Sequence, residues 1–323
     1  MPDSDAGPVI VEDLLRRRSS KLVCYEHPLV LGTDRVGIEI ELENLEGMFR
    51  YGRSPNLVYW NAVGDGSLRN HGVEFITRGD GVGGDVLYSA AIEVQEFLKN
   101  LNPDPSWRCS THIHVDIRDL NLEQLKLFII AYAYFERFIF KECGWGRYKN
   151  NFCVPLGLAQ DQIETVSTLF QYDDLSAFLR HARDTWPKYT AINLGVADSL
   201  GTFEFRMPQP TYNAVELIKT SNRFLALKRM SKEWTGEPVG FIEYLASTDI
   251  RLLFQKSVGR ATVFKDEDRC FGFGLARDII AIGALKRKSI LLNNEFSNVS
   301  ESHFELPEWD HDEESDDGDT AQW

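Results

Sequence analysis

The chain has 323 residues, 43% of them hydrophobic, and a net charge of -14. This length and apolar content are sufficient for one large domain or two modest ones with a buried core. From Glu301 onward the chain has ten acidic residues and no Lys or Arg, so the rest carries only about -4. An acidic protein without a long basic run is a poor match for nucleic-acid phosphates, which argues against a nucleic-acid partner.

The five cysteines are odd in number and scattered, which fits neither a disulfide framework nor a paired-cysteine zinc site. We therefore expect reduced thiols and a cytoplasmic protein. No apolar run is long enough to cross a bilayer, so no membrane partner is expected. The composition predicts a flexible N-terminal segment at 1–20, one domain at 21–298 and a disordered acidic tail at 299–323.

Short alternating segments are interleaved with longer helical patterns, which predicts an α+β fold. The alternating segments are 36–42, 73–77, 111–117 and 202–207. In the first segment, Glu39, Glu41 and Glu43 share one strand face, opposite three apolar residues. A single acidic face is often merely solvated, so this strand alone is a modest signal for a binding site.

A turn at Asp65 precedes the second segment, where Glu74 lies between apolar neighbours. Asp85 then predicts the start of a helix. The third segment places His112, His114 and Asp116 on one strand face, a row typical of metal binding, although one histidine can be a bystander.

Asn121 and Gln124 have the spacing of a capping box at the start of the next helix. A loop at 141–158 then offers Arg147, Lys149 and Asn150 as contacts for an anionic substrate, or as ordinary exposed polar residues.

The last strand presents Glu204 and Arg206 on the same face. Glu204 is a possible metal ligand, and Arg206 could hold a phosphate oxygen or form a simple ion pair. Asn213 then predicts a helix start. The basic residues of that helix are predicted to lie on its solvated face: Lys219, Arg223, Lys228 and Arg229.

Several carboxylate-bearing strands with apolar backs predict an open sheet whose polar face binds hard divalent cations. Oxygen-rich ligands favour Mg²⁺, or Mn²⁺, over zinc. An arginine beside the final glutamate adds an anionic ligand, and ATP carried by Mg²⁺ would satisfy both demands.

The motif order resembles that of the amidoligase family, relatives of glutamine synthetase and glutamate-cysteine ligase. The motifs are GIEIE from Gly37, DGSL from Asp65 followed by Glu74, THIHVD from Thr111, KYTAIN from Lys188 and TFEFR from Thr202. The resemblance implies that 21–298 is an amidoligase-like catalytic domain with a curved antiparallel sheet forming an active-site funnel flanked by helices. The chain departs from the family in having Cys109, Ser110 and Thr111 where glycines usually precede the histidine.

By the same resemblance, metal would be held by Glu39, Glu41, Glu74, His112 and Glu204. Arg206 would bind phosphate and act in catalysis, while Tyr189 and Asn193 would contact ATP or substrate. The base that deprotonates the amine is left open among His114, Asp65 and Glu43.

The activity implied is ATP-dependent ligation of a carboxylate to an amine through an acyl phosphate. The carboxylate and the amine could belong to amino acids, peptides or protein side chains. Two alternatives remain open: a metal-dependent amide hydrolase and a non-catalytic nucleotide-binding protein of the same fold. Such hydrolases usually draw on additional histidines, and this chain has seven in all.

Overall fold

The computed structural model describes residues 7–15, 22–45, 56–70, 72–259 and 262–295. Within these ranges the strands are β1 (Val36–Leu42), β2 (Trp60–Val63), β3 (Val73–Thr77), β4 (Thr111–Asp116), β5 (Ile192–Asn193) and β6 (Thr202–Phe205). The helices are α1 (Val11–Leu14), α2 (Gly84–Leu98), α3 (Leu122–Gly144), α4 (Gln160–Leu169), α5 (Leu175–Thr185), α6 (Ala197–Leu200), α7 (Ala214–Glu233), α8 (Pro238–Ser247), α9 (Ile250–Leu253) and α10 (Asp266–Glu295). Two short 3₁₀ helices, Trp145–Lys149 and Leu156–Leu158, lie between α3 and α4.

The strands form one open antiparallel sheet in the order β2-β3-β1-β4-β6-β5, which confirms the predicted α+β class. All four predicted strands are present, and β1 and β3 have the predicted bounds. Strands β2 and β5 were missed because segments of four and two residues are too short to show alternation. The glutamine synthetase-like arrangement remains a prediction.

The apolar face of the sheet is covered by α3 and α7. Phe128 of α3 packs on Phe203 and Phe205 of β6, with ring centroids 5.4 and 5.8 Å apart. Phe224 of α7 stacks on Phe205 at 4.1 Å. Such buried aromatic rings supply much of the apolar area that a core removes from water. With one face closed by helices, the polar side chains of the strands must project from the other.

Helices begin at all three predicted starts, and two of the three predicted caps are confirmed. The Asn121 side chain accepts from the Gln124 N–H, and the Gln124 side chain accepts from the Asn121 N–H, both at 3.0 Å. Asn213 likewise caps α7 by accepting from the Glu216 N–H. The helix predicted at Asp85 is present and begins at Gly84, but Asp85 does not cap it. This residue lies within the first turn of α2, and its carboxylate accepts from the Tyr25 N–H instead.

The prediction that the basic residues of α7 are solvated is wrong for Lys228 and Arg223, which are 1% and 3% exposed. The Lys228 Nζ lies 2.9 Å from a carboxylate oxygen of Asp34 and 2.7 Å from one of Asp119. A buried charge is tolerated only when it is paired, so these contacts explain how α7 can bury a lysine. Helical periodicity alone does not reveal such partners.

By its contacts the chain divides into the units Met1–Arg287 and Lys288–Trp323. Residues 288–295 of the second unit are described and helical, and the predicted acidic tail at 299–323 lies outside the described residues. In the predicted flexible segment 1–20, the described helix α1 buries Val11, whose N–H donates to the Leu120 carbonyl; the flexibility itself stays a prediction.

Among the helices of the described ranges, none has both the length and the apolar character needed to cross a membrane.

Candidate active site

Strand pairing brings the predicted residues of β1, β3 and β4 together on one face. Glu39 of β1 lies directly opposite His112 of β4. Two residues further along β1, Glu41 lies opposite Glu74 of β3. Side chains that are directly paired across antiparallel strands point to the same face. The register therefore places the glutamates and the first histidine in one polar row.

The row continues through β6 and β5. His114 of β4 pairs with Glu204 of β6, and Glu204 pairs with Asn193 of β5. Five adjacent strands thus contribute to a single polar surface, while their intervening residues face the helices. The short strand β5 matters here because it brings Asn193 beside Glu204.

A cavity of about 440 Å³ lies over this polar face. Ten of the residues predicted for the site line it, namely Glu39, Glu41, Asp65, Glu74, His112, His114, Tyr189, Asn193, Glu204 and Arg206. The structure therefore brings together residues spread over more than half of the chain.

At one end of the row lies the histidine corner, which we define as Glu39, His112, His114, Glu204 and Arg206. His112 Nδ1 lies 3.0 Å from Glu39 Oε2 and 3.3 Å from Glu204 Oε1. Burial by itself would raise the pKa of Glu39, but the hydrogen bonds and charges of His112 and His114 outweigh it and leave that pKa well below its ordinary value. This corner keeps Glu39 ionised with the groups it already contains.

The same balance holds at Glu204, where burial raises the pKa and the nearby His114, His112 and Arg206 lower it by more. Arg206 Nη1 donates to Glu204 Oε1, and Asn193 Nδ2 donates to Glu204 Oε2 at 2.7 Å. Both oxygens of the carboxylate are therefore held in place.

The other end of the row is the acid corner, defined as Glu41, Asp65 and Glu74. The pKa of Glu74 is raised to about 8, mostly by burial and further by the negative charges of Glu39, Glu41 and Asp65. The predicted turn is confirmed, because the Asp65 carboxylate accepts from the Ser67 N–H at 2.7 Å and its carbonyl accepts from the Leu68 N–H. In the acid corner carboxylates face one another, and the nearest imidazole nitrogen, His112 Nε2, lies 3.8 Å from Glu41 Oε1.

Both corners suit divalent cations. Three groups each have ligand atoms within 4.8 Å of one another: Glu39, His114 and Glu204; Glu39, Glu74 and His112; and Glu41, Asp65 and Glu74. The buried Nε2 of His114 has no hydrogen-bond partner of acceptable geometry, although Glu39 Oε1 lies 3.2 Å away. A mostly carboxylate donor set with imidazole matches the preferences of Mg²⁺ or Mn²⁺. The residues present therefore fit the predicted metal.

Residues 92–226 match a family model described as "Putative amidoligase enzyme". The match confirms the resemblance predicted from the sequence and indicates a ligase-type enzyme. No curated protein matches the chain.

The segment that matches the amidoligase model, residues 92–226, includes β4, β5 and β6, and thus His112, His114, Asn193, Glu204 and Arg206. Strands β1 and β3, with the remaining glutamates, precede it in sequence and pair directly with β4 or with each other.

Ser110 is a site residue that the sequence interpretation missed. Its Oγ donates to Glu41 Oε2 at 2.6 Å and lies 2.7 Å from His112 Nε2. Ser110 therefore links the acid corner to the histidine corner. Ser110 lies two residues before His112, and side chains two residues apart on a strand share a face. The sequence pattern could therefore have identified Ser110 as a site residue.

Three further residues at the cavity rim were missed: Arg108, Phe152 and Lys188. The Arg108 guanidinium lies 5.0 Å from the centroid of the Phe152 ring, and that ring is 5.7 Å from the ring of Tyr189. Tyr189 is half exposed, as a residue at the mouth of a cavity can be. Phe152 belongs to the segment 141–158, in which Arg147, Lys149 and Asn150, but not Phe152, were considered as substrate contacts.

Arg147 does not line the cavity and is buried, so neither alternative, a substrate contact or an exposed polar residue, describes it. Its guanidinium is buried and donates to the carbonyls of Trp107, Cys109 and Arg206 at 3.1 to 3.2 Å. Asn150 likewise donates to the Trp107 carbonyl. These side chains hold the backbone beside β4 and β6 in place.

Glu43, one of the candidate bases, also lies outside the cavity lining. Its carboxylate accepts from the Arg69 N–H at 2.7 Å and fixes the turn that follows Asp65. The backbone leaves the strand after Leu42, so Glu43 does not continue the row formed by Glu39 and Glu41. His114 and Asp65 remain as candidate bases.

Proposed function

We propose that this protein is an ATP-dependent carboxylate-amine ligase that forms an amide or peptide-like bond through an acyl phosphate. The observation that carries the proposal is the convergence of five carboxylates, two histidines and Arg206 in one cavity. The match of residues 92–226 to the amidoligase model supports the same class of reaction.

In this proposal Mg²⁺ is held by Glu39, Glu41, Glu74, His112 and Glu204. Bound Mg²⁺, or Mn²⁺, would offset the charge of the ATP phosphates during phosphoryl transfer.

Arg206 supplies the complementary positive charge. Its Nε is buried without a hydrogen-bond partner, while Nη1 is engaged by Glu204. The guanidinium thus retains donor capacity for a phosphate oxygen, which would become most valuable as charge builds up on the transferred group.

Tyr189 and Asn193 take different roles. Tyr189 is half exposed at the mouth, where its ring can contact ATP or substrate. Both ends of the Asn193 amide are already engaged, since Oδ1 accepts from the Gly195 N–H and Nδ2 donates to Glu204. We therefore assign Asn193 to positioning Glu204.

The reaction proceeds in two steps, and each step forms one bond and breaks another. A carboxylate oxygen of the substrate attacks the γ-phosphorus of ATP, and the bond to ADP breaks. The amine nitrogen then attacks the acyl carbon, phosphate leaves, and His114 or Asp65 accepts the amine proton. The products are an amide, ADP and phosphate.

The test is ADP release by the full chain with MgATP and a panel of amino acids and short peptides. We expect ADP release that requires both an acid and an amine, and transfer of ¹⁸O from a labelled carboxylate to phosphate. Product formation without ATP would favour the hydrolase alternative and overturn the proposal. ATP binding without turnover across the panel would favour the non-catalytic alternative.

A further inference from the structure

The mouth of the cavity carries a cluster of aromatic and basic side chains, which we call the aromatic rim: Trp107, Arg108, Phe152, Lys188 and Tyr189. Four of these residues line the cavity, and Trp107 lies outside its lining. The Phe152 ring has its centroid 5.6 Å from that of Trp107 and 5.7 Å from that of Tyr189. The three rings therefore form a continuous path from the cavity to the protein surface.

The outer rings of this path are exposed on a fixed backbone. Trp107 is 65% exposed and Tyr189 is 50% exposed. The Trp107 carbonyl accepts from Arg147 at 3.2 Å and from Asn150 at 2.9 Å, so the backbone that carries the exposed indole is held in place. Contiguous exposed apolar surface with polar neighbours is typical of an interaction site. The rim is therefore suited to a ligand that extends beyond the cavity.

Arg108 is a positioned cation within the rim. Its Nε and Nη2 both donate to the Ser67 carbonyl, at 3.3 and 3.2 Å. Its guanidinium carbon lies 5.6 Å from the centroid of the Trp107 ring and 5.0 Å from that of Phe152. A guanidinium held by rings and a carbonyl loses little freedom when it binds an anion.

Lys188 is the second cation of the rim. It is exposed, and its Nζ lies 5.8 Å from the centroid of the Tyr189 ring. Within the part of the chain that the structure describes, neither Lys188 nor Arg108 forms an ion pair with a carboxylate. Arg206, deeper in the cavity, is already engaged by Glu204. The rim cations therefore retain donors for an anion that contacts them directly.

In the proposed function, the phosphates of ATP lie with Mg²⁺ at the carboxylate row, away from the exposed rings. We infer that the aromatic rim is a peptide subsite, and that the carboxylate substrate is an acidic peptide rather than a small monocarboxylic acid. The reacting carboxyl enters the cavity, a second carboxylate contacts Arg108 and Lys188, and an apolar side chain packs on Trp107. This assignment of a substrate rests on the proposed ligase function.

The experiment measures binding of the peptide acetyl-Glu-Phe-Glu to the full chain by isothermal titration calorimetry. We expect this peptide to bind, and both the neutral acetyl-Gln-Phe-Gln-amide and n-butyrate to bind at least about tenfold more weakly. MgADP is titrated in parallel as the probe for the nucleotide.

Three variants test the rim. Trp107→Ala removes an exposed ring and should raise the Kd of the acidic peptide about tenfold. Arg108→Gln and Lys188→Gln should each raise it about threefold, because each removes one exposed charge pair with the peptide. None of the three should change the Kd of MgADP.

The matched controls are Tyr25→Ala, at an aromatic residue that is 68% exposed, and Lys265→Gln, at an exposed lysine just before α10. Both lie outside the cavity lining and should leave peptide binding unchanged.

The inference fails if the acidic peptide does not bind, if the neutral peptide binds equally well, or if Trp107→Ala binds the acidic peptide normally. Weaker MgADP binding by Trp107→Ala with unchanged peptide binding would overturn it by assigning the rim to the nucleotide base. Because the titration needs no turnover, failure of ADP release would refute the ligase proposal without altering the binding result.

Discussion

The two corners of the active site are neighbours on one sheet, but they differ in how their carboxylates are balanced. In the histidine corner, Glu39 and Glu204 are close to imidazole and guanidinium groups, which lower the pKa of both acids. In the acid corner, Glu41 and Glu74 are directly opposite each other, and the pKa of Glu74 rises to about 8. Like charges that face each other across strands are destabilising.

The difference indicates that a bound cation would have a different effect in each corner. The histidine corner is already compensated, so a cation entering it must compete with existing hydrogen bonds. The acid corner binds a proton near neutral pH and would exchange it for a divalent ion. We therefore expect the acid corner to depend more on Mg²⁺ for its stability, and the histidine corner to matter more for the chemistry.

The largest effect is expected in the histidine corner. Arg206→Met removes the guanidinium that lies beside Glu204 in the cavity, and ADP release should fall by a factor of about 10²–10³, as when an oxyanion-stabilising donor is lost. The measurement is kcat for amine-dependent ADP release. Arg180→Met, an exposed arginine on α5, is the matched control and should retain full activity. Equal activity of both variants would remove Arg206 from the proposed mechanism.

Glu136 is a second acid with a raised pKa, and here burial alone is the cause, without repulsion from neighbouring acids. Burial raises its pKa to about 7, against an ordinary value of 4.5, although N–H groups of Leu156 and Gly157 donate to it. Between these values the folded state binds more protons than the unfolded state, so the free energy of unfolding falls as pH rises. The total loss is at most about 3 kcal/mol.

We expect Glu136→Gln to remove this pH dependence. The Tm of the variant relative to the unaltered protein should increase from about pH 4 to about pH 8, because only the unaltered protein loses stability in that range. The measurement is thermal unfolding in the presence of a chelator. Parallel curves would mean that burial does not raise this pKa.

The acid corner should respond to Mg²⁺. At 100 times its Kd, an ion that binds only the folded state stabilises it by about 2.7 kcal/mol. Without the ion and above about pH 8, where Glu74 is ionised, Glu74→Gln should be more stable than the unaltered protein, because the repulsion with Glu41 is relieved. The variant should also lose most of the Mg²⁺-dependent rise in Tm. NaCl at matched ionic strength controls for screening. An undiminished rise in the variant would contradict a metal role for Glu74.

The smallest effect is expected where the corners join. Ser110→Ala removes the hydroxyl that contacts Glu41 and His112. The Mg²⁺ concentration that gives half-maximal activity should rise about tenfold, while kcat should change little. The measurement is the Mg²⁺ dependence of ADP release. Ser89→Ala, a hydrogen-bonded serine on α2, is the matched control. A loss of kcat without a change in Mg²⁺ dependence would contradict a positioning role.

The sequence predicted much of the sheet because alternation fixes which side chains share a face. It identified the bounds of β1 and β3 and ten of the residues that line the main cavity. It could not predict the register, which alone places Glu41 opposite Glu74 and His114 opposite Glu204. The positions of neighbouring strands depend on tertiary packing and leave no local pattern.

The errors have the same physical origin. Lys228 looked solvated because its acidic partners lie far away in sequence. Arg108 and Lys188 reach the cavity rim from segments outside the strands, where alternation says nothing. Long-range pairing of charges and the path of loops thus mark the limit of sequence interpretation for this protein.

Arg147 has a consequence for any attempt to change the specificity of this protein. Its guanidinium ties three carbonyls flanking β4 and β6, including that of Arg206. A lysine has a single nitrogen and cannot reproduce this planar fork, so replacement would leave buried acceptors without donors. Directed evolution toward new substrates should therefore leave Arg147 intact and diversify the rim at Arg108, Lys188 and Tyr189.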